Sequence, residues 1–116
     1  MSGEKSKLWE VVYQALASSH RRSALRYLRT DPTSATFDGV IEHLVDDGQV
    51  SSSPDEVARV RTKMYHVHLP KLCEAELAEW DGNSTVRPSS LLRQLPPELL
   101  SPQLKPHAEN PQGADD

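Results

Sequence analysis

The sequence predicts a mainly α domain with a small β-hairpin. Three observations carry that expectation. Apolar residues recur at helical spacing in four successive segments between residues 5 and 72. Two short β-tolerant runs then flank a polar loop containing Gly82. Six of the nine prolines fall in the last 29 of the 116 positions, which confines the compact part to residues 5–88. Residues 89–100 then read as a short Leu/Pro-rich extension, and 101–116 as a disordered, proline-rich polar tail.

The first helix is expected over Lys5–Ala17, with Leu8, Val12, Ala15 and Leu16 on one face and Trp9 and Tyr13 flanking it. Ser18-Ser19 interrupts the pattern and offers a cap to a second helix, His20–Arg29, where Ala24, Leu25 and Leu28 form the apolar stripe. Arg22, Arg26 and Arg29 share a different face, with Arg21 nearby. Asp31-Pro32 ends this helix, because proline steers the residue before it away from helical geometry. Thr33–Thr36 can supply a single edge strand. A third helix follows over Phe37–Asp47, turning Val40, Ile41, Leu44 and Val45 inward, with Gly48 as its natural stop.

A polar connection leads to Pro54, a residue the first turn of a helix tolerates, and Asp55 and Glu56 suit the positive end of the helix dipole. The fourth helix, Asp55 to about Leu72, places Val57, Val60, Met64, Tyr65, Val67, Leu69 and Leu72 on one broad arc. Arg59, Thr62, Lys63 and His66 fall on the opposite side, a stripe that contains no acid. Pro70 implies a kink near His66–His68 or a new helical turn. Leu77–Asp81 and Thr85–Arg87 are the strand candidates, joined through Gly82-Asn83-Ser84. The resulting order of two helices, short strand, helix, polar turn, long helix and hairpin is that of a winged helix-turn-helix domain.

A resemblance points the same way. Leu16-Ala17-Ser18-Ser19-His20-Arg21-Arg22 with Leu25-Arg26-Tyr27-Leu28, then Tyr65-His66-Val67-His68-Leu69-Pro70-Lys71-Leu72, then Ala75-Glu76-Leu77-Ala78-Glu79-Trp80-Asp81 resemble a haloarchaeal winged helix domain family of unassigned function. More distantly, the chain is similar to ArsR-like transcriptional regulators, in which a helix ending in His-Leu-x-x-Leu precedes the wing. The likeness covers roughly residues 8–88 and implies an archaeal winged helix with a DNA-binding role. The chain lacks the cysteine pair of the metal-sensing ArsR-like members, so no metal-sensing role is expected.

Net charge is −4, but its distribution is uneven. Residues 1–30 hold six Lys/Arg against two acids, and 31–58 hold seven acids and no Lys/Arg. Residues 59–73 hold four Lys/Arg and no acid, and 74–84 hold four acids. A polyanion feels the field within a Debye length of about 8–10 Å, not the net charge. Arg59, Thr62, Lys63 and His66 are therefore the expected major-groove readers, with Arg87 on the wing and Arg22 and Arg26 on phosphates. At least two of Arg21, Arg22, Arg26 and Arg29 are expected instead to pair within the chain or across a dimer, notably with the acidic block at 38–47.

No nucleophile–base pair or phosphate-cradling glycine loop stands out, so neither an enzyme nor a cofactor is expected. His66 and His68 lie about 200° apart around a helix, which prevents joint chelation, and no metal site is expected. His68 is expected to pack partly buried beside Met64 and Leu72, and the single Cys73 as a small hydrophobe. No apolar run approaches the roughly 20 residues that span a bilayer. The positive residues of Met1–Lys7 are followed by no long apolar stretch or small-residue cleavage site, so no leader is expected. A cytoplasmic protein without membrane contact is the expectation. Trp9, Tyr13, Leu92, Leu95 and Leu99 exceed what so small a domain readily covers, which predicts a homodimer. The alternative function is a winged helix that serves only protein interaction.

Overall fold

A computed structural model describes residues 2–30 and 35–101. The expected stop at Asp31-Pro32, the start of the edge-strand segment at Thr33-Ser34 and the tail from residue 102 lie outside the described residues. The elements are α1 (Ser2–Ala15), α2 (Ser19–Thr30), β1 (Ala35–Thr36), α3 (Phe37–Asp46), α4 (Pro54–Lys63), a π-helical turn (Met64–His68), α5 (Leu69–Glu74), β2 (Ala78–Trp80), β3 (Thr85–Pro88), α6 (Ser90–Gln94) and a 3₁₀ turn (Pro97–Leu100). The architecture is mainly helical with one small antiparallel sheet, and its element order is compatible with a winged-helix arrangement.

Side-chain oxygens fix the helix starts. Thr36 accepts from the Gly39 amide at 2.9 Å and opens α3. Ser53 accepts from the Glu56 amide at 3.2 Å and opens α4, with Pro54 in its first turn. Each oxygen satisfies one of the amides that a helix start leaves unpaired. Gly48, at φ +76°, follows the C-cap Asp47 and turns the chain out of α3 in a conformation that a Cβ would strain.

The sheet runs in the order β1-β3-β2. Ala35 faces Val86, and Trp80 faces Val86 from the other side. Val86 is fully buried, so the middle strand is anchored to the helical core between two short edges. That core is one cluster built from Val12, Leu25, Leu28, Val40, Leu44, Met64, Leu69, Leu72 and Leu77.

The break expected near Pro70 and the burial expected of His68 are both present, while Tyr65 and Val67 of the expected inward arc lie outside the core. The long fourth helix is two α-helical pieces joined by a π turn, in which the Leu69 amide donates to the Met64 carbonyl five residues back. Pro70 explains it: in a straight α-helix its ring would collide with the His66 carbonyl, and the wider turn moves that carbonyl aside. The extra residue also rotates the remainder of the helix. His68 is 1% exposed and occupies the inward position one turn after Met64, where Val67 was expected. Val67 is half-buried and Tyr65 is 44% exposed, so neither is a core residue.

The compact body also extends past Pro88. Leu92, Leu95 and Leu100 are buried in the same cluster as the helices, with Leu91 and Leu99 packed against it. They complete this fold and are not spare surface for a dimer. Three arginines of α2 hold the segment by its main chain: Arg22 donates to the Ser101 carbonyl at 3.1 Å, Arg29 to that of Leu95 at 2.8 Å, and Arg26 to that of Leu100. Of the expected dimer residues, Trp9 and Tyr13 remain exposed on α1, their rings 5.8 Å apart.

Candidate nucleic-acid interface

The outer face of α4 and its π turn gathers Arg59, Thr62, Lys63 and His66, all exposed. With Asp55, Ala58 and Val67 they line one shallow, open concavity. The helix can present them together because Val60 and Met64, on its other side, are buried in the core. The helical phase therefore separates buried Val60 and Met64 from the four exposed side chains.

The chemistry of this face is less uniformly basic than the spacing implied. Arg59 donates to Glu56 across 3.2 Å, both side chains being largely solvated, and Asp55 belongs to the same concavity. The stripe is thus headed by two acids that its own arc omitted. Thr62 turns its hydroxyl back to the Ala58 carbonyl at 3.2 Å. His66 sets its ring edge-on to Tyr65, with centroids 4.9 Å apart. Guanidinium, ammonium and imidazole groups remain at the surface, suited to phosphate oxygens or to acceptors on guanine.

Arg87 is exposed on β3, directly across from Glu79 on β2. It lines a separate concavity with Glu79, Trp80, Asp81 and Thr85. The hairpin tip is fixed by Asp81, whose carboxylate accepts from the amides of Asn83 at 2.8 Å and Thr85 at 3.1 Å. Those amide bonds hold the Asp81 carboxyl below its ordinary value of 3.8.

Arg22 and Arg26 do not join the face. Arg22 is 6% exposed and donates to the carbonyls of Leu16 at 2.8 Å and Ser101. Arg26 is committed to Asp47, which follows α3, and to the Leu100 carbonyl. Their spacing is that of a solvated stripe, but the 95–101 segment lies over it. Neither is a phosphate contact. The pairing between α2 arginines and the acidic block, the other reading of these residues, is realised in Arg26 and Asp47. Burial opposes the Asp47 charge, but a hydrogen bond from Ser23 at 2.7 Å and the Arg26 charge outweigh it and keep that carboxyl below 3.8.

Two residues near the face were not singled out from sequence. Arg61 stands 5.1 Å over the Phe37 ring and 2.8 Å from Asp38, so it fastens α4 to α3. Tyr65, expected inside, forms the exposed corner between helix and hairpin. A π turn before a proline was the available signal for Tyr65; for Arg61 the sequence offers none, because its partner is 23 residues away.

Burial pushes the Cys73 thiol up, which disfavours a reactive thiolate. Among the described residues, no three His, Cys, Asp or Glu side chains are grouped to hold a metal ion, and no helix is long and apolar enough to cross a membrane. No curated protein and no solved structure matches the chain. Residues 13–87, from the end of α1 through most of β3, match the family described as Domain of unknown function (DUF7344), and the chain belongs to that family.

Proposed function

We propose that this protein is a winged-helix transcriptional regulator that binds duplex DNA without chemistry of its own. The observation that carries the reading is the face formed by Arg59, Thr62, Lys63 and His66: four side chains suited to phosphate or base edges, exposed side by side on a helix whose other side is locked in the core. Support comes from the element order and the β1-β3-β2 sheet, in which a hairpin follows the helix as a wing follows a recognition helix. Arg87 is the wing's cation. If two copies pair on a two-fold operator, α1 offers Trp9 and Tyr13 as the contact.

A second reading, a winged helix that binds only protein, draws on Asp38, Glu42 and Asp46, at i, i+4 and i+8 along α3, and on the Glu56 carboxylate paired with Arg59. The test is a titration of labelled random-sequence duplex at rising salt. The DNA reading expects binding at low salt whose log affinity falls linearly with log salt, as condensed counterions are released. No binding at low salt contradicts it and favours the protein-binding reading.

A further inference from the structure

We infer that Tyr65 is the positioning residue that locks the hairpin to the exposed face of α4, so that the two present one rigid surface to a single partner. The inference deepens the DNA-binding reading and rests on it for the identity of that partner. Tyr65 sits in the π turn, the one place where this helix departs from α geometry, and its ring lies at the surface against the hairpin. Its ring meets Trp80 of β2 edge-on, with centroids 5.0 Å apart and planes at 89°. It meets Phe37 at the start of α3 at 6.2 Å and 72°. Its hydroxyl donates to the Gly82 carbonyl at the hairpin tip across 3.3 Å. On its other side it carries His66, a member of the candidate face.

One side chain therefore touches a member of the face, the last residue of β2 and the hairpin tip. Edge-to-face aromatic pairs of this geometry favour a fixed orientation beyond simple burial. Buried Val86 and Ala78 anchor the strands to the core, but residues 81–84 at the hairpin tip are exposed, so the tip is where such a tie matters. Tyr65 is also 44% exposed, so core packing alone does not account for a large aromatic ring here. Through Trp80, which faces Val86, the tie reaches the strand that carries Arg87.

The test is a double-mutant cycle on the full chain, with amide hydrogen exchange as a readout that needs no DNA. Tyr65→Ala is expected to speed exchange of the hairpin amides at 79–87 by at least about tenfold while the α2 and α3 amides keep their protection. Tyr65→Phe, which keeps the ring and loses only the hydroxyl bond, is expected to restore protection at 79–81 but not at 83–84. In duplex binding, Arg87→Ala is expected to lose affinity in the wild-type background and to lose at most half as much, as a fold-change, in the Tyr65→Ala background. Unchanged hairpin exchange in Tyr65→Ala overturns the positioning role whatever the DNA result. So does an Arg87→Ala loss equal in both backgrounds. Loosened exchange in Tyr65→Ala, where the wild-type protein binds no duplex, leaves the positioning role standing and removes DNA as the partner. If Tyr65→Ala loosens the whole chain, Tyr65→Phe decides: protection at 83–84 identical to wild type overturns the proposal.

Discussion

Arg21 donates a hydrogen bond from Nη1 to Nδ1 of His68 at 3.0 Å, across 47 residues of sequence and with both side chains buried. A guanidinium has no acceptor to offer, so Nδ1 of His68 must present its lone pair. The same guanidinium donates to the carbonyls of Gln14 at 3.1 Å and Ala15 at 2.7 Å. Arg21 thus ties the end of α1 to the π turn, and the His20 ring stands edge-on to His68 at 5.7 Å. This arginine, part of the basic block at residues 1–30, is a strut inside the fold.

That arrangement predicts which substitutions of His68 are tolerated. Asn can place its carbonyl oxygen near the Nδ1 position, whereas Leu fills the volume and offers no acceptor. His68→Leu is expected to cost about 1–3 kcal/mol more than His68→Asn, the penalty of leaving a buried charged donor one acceptor short. Urea unfolding of the two variants measures it. A leucine variant as stable as the asparagine variant contradicts the strut.

The Asp47 hub predicts a pH signature. Its folded-state carboxyl lies below 3.8, so as pH falls the unfolded chain takes up the proton first. The stabilisation is complete above that value and disappears as pH drops through the folded one. Asp47→Asn is expected to melt below wild type at pH 7, with the gap closing below about pH 4. Thermal melts across that range check it, and a gap that stays constant under acid contradicts the linkage.

The segment after Pro88 is expected to be integral to stability although the family match stops at residue 87. Leu100 is 2% exposed, and Leu100→Ala is expected to cost about 2–5 kcal/mol. Glu98→Ala, at an exposed position in the same 3₁₀ turn, is expected to stay within about 0.5 kcal/mol of wild type. Chemical denaturation separates the two. A neutral Leu100→Ala variant would mean that the segment adds nothing to the core.

Much of this was legible in the residues. Helical periodicity located α2, α3 and α4, and the Gly82-Asn83-Ser84 loop located the hairpin, because each signal is local. The exposed Arg59/Thr62/Lys63/His66 stripe was legible for the same reason: phase within one helix decides it. Partners distant in sequence were not. That some α2 arginines turn inward was legible, but not that Arg22 would reach a carbonyl 79 residues away. Tyr65 reads as core because its partners, Trp80 and the Gly82 carbonyl, come from a hairpin more than a dozen residues away. The leucines at 91–100 read as surplus because prolines beside them suggested an appendage, and only tertiary packing shows a place for them.

The Glu56–Arg59 pair predicts a gain. Glu56→Gln removes a carboxylate that competes with a phosphate for Arg59, and it is expected to tighten duplex binding by about twofold to fivefold, on the scale of an exposed ion pair of roughly 0.5–1 kcal/mol. Binding isotherms at matched salt check it. Weaker binding in that variant would mean that Glu56 itself contacts the DNA.

The most direct test of the account is duplex binding by an Arg59→Ala/Lys63→Ala double variant across a salt series. Both side chains are exposed, so melting is expected to match wild type, whereas Val60→Ala, at a buried position on the same helix, is expected to lose about 1–3 kcal/mol of stability. The double variant is expected to lose at least about tenfold in affinity, and its log–log salt slope to shrink by about two, one for each cation removed. Wild-type affinity and wild-type slope in a double variant that melts normally would contradict it.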